Sequence, residues 1–180
     1  KEPFLPPECY TLTEQQLCDI MVKELTEGME GTGVRATVIG EIGTSKDITE
    51  TEAKVFRAAS RAHAETGAPI CTHTTLGTRG LEQLEIFKSF GVDLSRVVLS
   101  HIDLSADLDY MKRLLDQGVN IAFDTIGKCN YQPDVSRADW LSRLCAEGYD
   151  TQIVMSMDIT RRSKIYFLPA GLPLGLCLLP

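Results

Sequence analysis

Five short apolar runs in this 180-residue chain finish on ionisable side chains: Glu41, His73, His101, Asp124 and Asp158. His73 and His101 are two of the three histidines in the sequence. Imidazole and carboxylate are ligand types that suit zinc and similar divalent ions, and a catalytic zinc keeps about three protein ligands with a position open for water. Glu41, His73 and His101 meet that count. Asp158 could contact the same ion and accept the proton of the attacking water. The reaction class implied is metal-assisted hydrolysis. Asp124, just before Thr125 and a helical pattern, is expected to cap or to hydrogen-bond rather than to ligate.

Groups so dispersed can act together only if the runs that carry them converge, and the pattern between the runs says how. Thr13 with Gln16 makes a capping box ahead of Leu17, Ile20, Met21 and Leu25, which predicts a helix over about 13–28. The run ATVIG leads to Glu41, and a second box, Thr49 with Glu52, opens a helix with Val55, Phe56, Ala59 and Ala62 on one face. APICTH, RVVLSH, NIAFD and TQIVMSMD follow as strands. Helical patterns lie between them, carried by Leu81, Leu84, Phe87 and Phe90, by Leu108, Met111 and Leu115, and by Val135, Ala138, Leu141 and Cys145. Gly67, Gly91, Gly118 and Gly148 stand where left-handed C-caps belong. Strands that alternate with helices argue for a parallel α/β sheet, whose strand ends meet on one ligand-binding face. Two architectures fit: an open doubly wound parallel sheet, favoured by length, and a (β/α)8 barrel, which takes eight strands and about 250 residues.

The net charge of −7 and the lack of a Lys/Arg-rich stripe exclude nucleic acid as an expected partner. Six cysteines without a C-x-x-C spacing read as reduced thiols in a cytoplasmic protein, with Cys71 and Cys145 in the core. The apolar segment IYFLPAGLPLGLCLLP is too short and too rich in proline to cross a membrane. His63 is expected to be a partly exposed helix residue. A thiol-nucleophile role for Cys71 is disfavoured because its reactive atom and that of His73 do not converge from one strand face. No glycine-rich phosphate loop is present. Arg161 and Arg162 suit an anionic substrate group or a solvated loop equally.

The segments VIGEIGTS, PICTHT, VVLSHID, FDTIGK and VMSMDITRRS resemble the phosphotriesterase family of the amidohydrolase superfamily, in particular its bacterial phosphotriesterase-homology branch. They occur in the family's order over roughly residues 1–163. The resemblance implies a (β/α)8 TIM barrel with one or two divalent metals at its C-terminal face, overriding the preference from length. Residues 1–163 would supply strands four to eight, and 164–180 an atypical Pro/Leu/Gly-rich tail. Glu41 matches the position that bridges the two metals, His73 and His101 the ligands from strands five and six, and Asp158 the metal-binding aspartate that shuttles the proton. Lys128, Arg161 and Arg162 match loop or substrate-side positions. The family's H-x-H pair on the first strand is absent, since the histidines here are 63, 73 and 101. The expectation is a fragment without the first three barrel strands, binding at most one metal of zinc type and impaired as a hydrolase of small esters, lactones or phosphoesters. A homo-oligomer or a partner that supplies the missing strands is expected, and no membrane. The rival is a non-catalytic half-barrel remnant or binding domain that retains at most one metal.

Overall fold

Both capping boxes form in the computed structural model, which describes residues 1–159. Arg161, Arg162 and the expected tail 164–180 lie outside the described residues. After a one-turn helix α1 (Glu8–Thr11), the Thr13 side chain accepts the Gln16 N–H and Gln16 returns the bond, which starts α2 (Glu14–Thr26). Thr49 and Glu52 do the same for α3 (Glu50–Thr66). Gly67, at φ 69°, closes α3 in the left-handed conformation that a residue with a Cβ adopts only with strain.

The remaining elements alternate as β1 (Ile39–Gly43), β2 (Ile70–His73), α4 (Gly80–Ser89), β3 (Val97–Ser100), α5 (Leu108–Leu115), β4 (Asn120–Phe123), α6 (Asp134–Ala146) and β5 (Ile153–Met155), with β1 preceding α3. All pairings are parallel, and the sheet order is β1-β2-β3-β4-β5. That order corrects the doubly wound alternative. Such a sheet reverses its strand order at a switch point, whereas here sequence neighbours are always sheet neighbours, as in a barrel wall. Right-handed crossovers that step in one direction put the helices on one face. The result is five strands of a (β/α)8 barrel, and the described residues do not close it.

Alternation along the strands sorts the side chains. Ile70, Thr72, Val97, Leu99, Ile121 and Phe123 are buried; the apolar ones share one core with Phe56, Ala59, Leu84, Phe87, Met111 and Leu114 of the helices. Phe56 and Phe87 stack at 5.3 Å between ring centroids. Cys71, His73 and Val98, of opposite parity, are half-buried on the other face. Three residues of the expected α6 stripe are instead exposed, Val135 at 77%, Ala138 and Cys145. This helix flanks the last described strand, so its stripe has neighbours on one side only. Cys71 is half-buried rather than fully in the core. Among the described residues no helix is long and apolar enough to cross a membrane.

His63 also departs from expectation: it is buried, because the chain folds back over it. Its Nδ1 lies 2.8 Å from the Ala68 carbonyl and its Nε2 accepts the Asp93 N–H at 3.3 Å, an arrangement that suits the neutral ring with Nδ1 protonated. His63→Ala strands both backbone groups, and we expect a loss of about 1–3 kcal/mol in denaturant unfolding without change at the strand ends.

Candidate metal centre

Glu41 reaches the site through a β-bulge. Ile39 pairs with Ile70 and Ile42 with Thr72, so Gly40 and Glu41 together stand opposite Cys71. Ile39 and Ile42 both face the core although three residues apart, which regular alternation forbids and one extra residue permits. Only glycine fits at position 40: φ is 138°, and a Cβ would lie 2.2 Å from the Cys71 carbonyl oxygen. The strand continues past Glu41 to Gly43.

His73 is the last residue of β2, and His101 follows β3 at φ 65°. Asp124 follows β4 and fixes His101: its Oδ1 accepts the His101 backbone N–H at 3.0 Å and lies 2.9 Å from the ring Nδ1. With Nδ1 protonated toward Asp124, Nε2 keeps its lone pair and faces Glu41 Oε1 at 3.7 Å. His73 Nδ1 faces Glu41 Oε2, also at 3.7 Å. The two rings meet edge to face at 4.7 Å. Ligand atoms from Glu41, His73 and His101 all lie within 4.8 Å of one another. Ligands at about 2.1 Å around a tetrahedral ion stand roughly 3.4 Å apart, so a small closure would complete the set. His73 Nε2 is buried with no partner among the described residues. The donor set of two imidazoles and one carboxylate fits a zinc-type ion, as does the carboxylate behind one imidazole.

The electrostatics treat the two imidazoles differently. Burial, then the charges of His101 and Lys1, lower the His73 pKa from 6.5 to about 4. Burial pulls His101 the same way, but the Asp124 hydrogen bond and the charges of Asp124 and Glu41 outweigh it and leave the ring raised. Burial raises the Cys71 thiol, whose Sγ lies 3.5 Å from Ser100 Oγ, so it is a poor nucleophile. The His73 shift has a consequence for stability. Between pH 6.5 and 4 the unfolded imidazole binds a proton that the folded one refuses, so stability falls as pH drops through that window. His101 acts oppositely, contributing stability that is lost as pH rises through its raised value. The metal-free protein is expected to lose on the order of 3 kcal/mol through His73 on acidification, and His73→Gln to flatten that limb in urea titrations.

Asp158 lies three residues past β5, at φ 42°, outside the three-ligand group, with its carboxylate on Lys128 Nζ. Both line one pocket of about 160 Å³ with His73, His101, Thr125 and Tyr131. A larger, mostly apolar cavity of about 380 Å³ runs along the β1 edge and touches only Glu41 of the cluster. His73 and His101 thus line the smaller pocket and Glu41 the larger one. Asp124 hydrogen-bonds and does not cap, since α6 starts ten residues later behind Pro133. Sequence reasoning missed Asp103 and Arg137, a buried ion pair behind the site, because an arginine one turn into a helix looks like any solvated charge.

Strand order and cluster together define a class: part of a (β/α)8 barrel with a histidine/carboxylate centre at the carboxyl ends of its strands. The chain belongs to the phosphotriesterase family, whose model matches residues 6–170. It is 46% identical to the phosphotriesterase homology protein of Escherichia coli over 92% of this chain and 57% of that protein. The crystal structure of that protein, complexed with phosphate in the active site, superposes with a TM-score of 0.87 at 47% identity, covering 90% of this chain and 56% of the other. A lactonase from Listeria monocytogenes superposes at 0.81 with 37% identity over 83% and 46% of the two chains. An N-acetyltaurine hydrolase of Danio rerio is 34% identical over 88% of this chain and 49% of its own length. The chain thus spans about half the length of the relatives it matches.

Proposed function

We propose that the chain carries the second part of a metal-dependent hydrolase in which Glu41, His73 and His101 hold one divalent cation of zinc type. One observation carries this reading: His73 Nδ1 and His101 Nε2 face the two oxygens of the same Glu41 carboxylate, with the His101 tautomer set by Asp124. A bound divalent cation supplies Lewis acidity toward a substrate oxygen and makes water acidic enough to attack near neutral pH. The chain's own residues do the rest. Asp158 borders the same pocket and takes the proton that the attacking water loses, with an added ligand role if it leaves Lys128. Lys128 balances the charge of Asp158 and borders the substrate side, and Arg161 and Arg162 are further candidates for binding an anionic group of the substrate. The substrate is a small molecule with an ester, lactone, phosphoester or amide bond, a range supported by the names of the related lactonase and N-acetyltaurine hydrolase. We place the hydrolase portion in residues 1–163, followed by a separate apolar tail, and the protein in the cytoplasm as an assembly that covers the open sheet edges.

With no H-x-H pair among its histidines, this stretch holds one cation at most, and its turnover by itself is reduced. Elemental analysis of the purified protein tests the reading. About one equivalent of zinc-type metal, lost in Glu41→Ala, followed by turnover in an ester, lactone and phosphotriester screen, supports it. A folded protein without metal overturns it. Metal without turnover favours the second reading, a half-barrel that keeps the cation and lacks the chemistry; the pairing of Asp158 with Lys128, outside the three-ligand group, is its specific support.

A further inference from the structure

Behind the centre, the turn that follows His101 and the loop that follows Asp124 are tied together twice. The first tie is His101 to Asp124. The second is Asp103 to Thr125: the Thr125 hydroxyl donates to Asp103 Oδ2, and both groups are buried. Arg137, 1% exposed in the first turn of α6, sits across this second tie. Its Nε donates to Asp103 Oδ2 at 2.7 Å and its Nη2 to Thr125 Oγ1 at 2.8 Å. Its Nη1 bonds the Gln132 carbonyl at 2.6 Å and Asp134 at 2.7 Å, and Asp134 in turn accepts the Gly127 N–H. One guanidinium therefore spans the β3 turn, the β4 loop and the start of α6.

A buried ion pair is a poor device for stability alone, since desolvation offsets its attraction. Here Asp103 Oδ1 is also buried without a partner among the described residues, which adds to the cost. What the arrangement does supply is geometry, because a planar fork with five donors fixes distance and angle together. We propose that Arg137 is a positioning residue for the metal centre, holding Asp103 and Thr125 together so that Asp124 and His101 keep the spacing that aims His101 Nε2 at Glu41. The inference rests on the function proposed above for its role toward the cation, and on the hydrogen bonds alone for the aim of His101.

The test uses zinc itself as probe, with the His101 tautomer read by nitrogen and proton NMR at fixed pH. Arg137→Met is expected to weaken zinc binding by up to about tenfold and to mix the two tautomers, because the direct partner of a ligating histidine is worth about ten- to a hundredfold and Arg137 acts one step behind it. Asp103→Leu with Arg137→Met removes both charges, so the stability lost in the single variant returns while affinity and tautomer do not. Thr125→Val, nearly isosteric, keeps the fold and shows a smaller change of the same sign. If the double variant binds zinc as the parent does, with His101 still protonated on Nδ1, the pair is structural and the proposal fails. If the parent binds no zinc, the functional reading fails separately, and the tautomer in the same variants still decides whether Arg137 aims His101.

Discussion

His101→Ala is expected to abolish stoichiometric zinc-type metal binding while leaving the protein folded. The ring is one of three donors around the centre, and two donors rarely hold a zinc ion against water. Folding should survive because the His101 ring meets Asp124, His73 and Glu41 at the strand ends, not the core behind the sheet. Asp124→Asn makes the argument sharper. An amide oxygen still accepts from the ring, but the anion that favours the Nδ1 proton is gone, so affinity should fall about ten- to a hundredfold without vanishing. Isothermal titration of the metal-free variants, with circular dichroism on the same samples, separates the two outcomes. Unchanged metal content in His101→Ala would remove the assigned site.

The second large effect lies in the scaffold. Phe87→Ala should cost about 3–5 kcal/mol in denaturant unfolding, the range for deleting a large buried aromatic side chain. Phe87 is fully buried and stacks on Phe56, so α3 and α4 lean on one another through this pair. The helices cannot close the gap, because each is also fixed by its own strand. The same protein should retain metal stoichiometry at temperatures where it stays folded, since the rings lie on the helix side of the sheet and the centre at its strand ends. A change below about 1 kcal/mol would mean that the region repacks, and that the wall is less rigid than its buried core suggests.

Much of this architecture is legible in the sequence. Capping boxes at Thr13 and Thr49 state helix starts outright, because the side chains satisfy donors a few residues away in the same segment. The glycines at helix ends do so for the same local reason. The column of ionisable residues at strand ends was also legible, since parallel strands must bring those ends together. Sheet order was not. Alternating strands and helices suit both a doubly wound sheet and a barrel wall, and only the direction of each crossover tells them apart; the family resemblance, not the periodicity, favours the barrel. The bulge at Gly40 and Glu41 is marked only by the glycine, which near the end of an apolar run reads as a strand end as readily as a bulge.

The burial of His63, the exposure of Cys145 and Val135, and the Asp103–Arg137–Thr125 tie share one cause. Each depends on which segment passes over a residue far away in the chain, and amphipathic patterns report that a face is apolar, not what covers it. The same holds at the centre. By its residue types the sequence determined that two imidazoles and several carboxylates would gather at one end of a parallel sheet, since donor chemistry and strand ends are local properties. The tertiary structure alone decided that Glu41, His73 and His101 converge while Asp158 sits with Lys128, and that Asp124 directs one imidazole. Distances of a few ångströms between strands depend on register and bulges, and those are settled by packing across the sheet rather than along the chain.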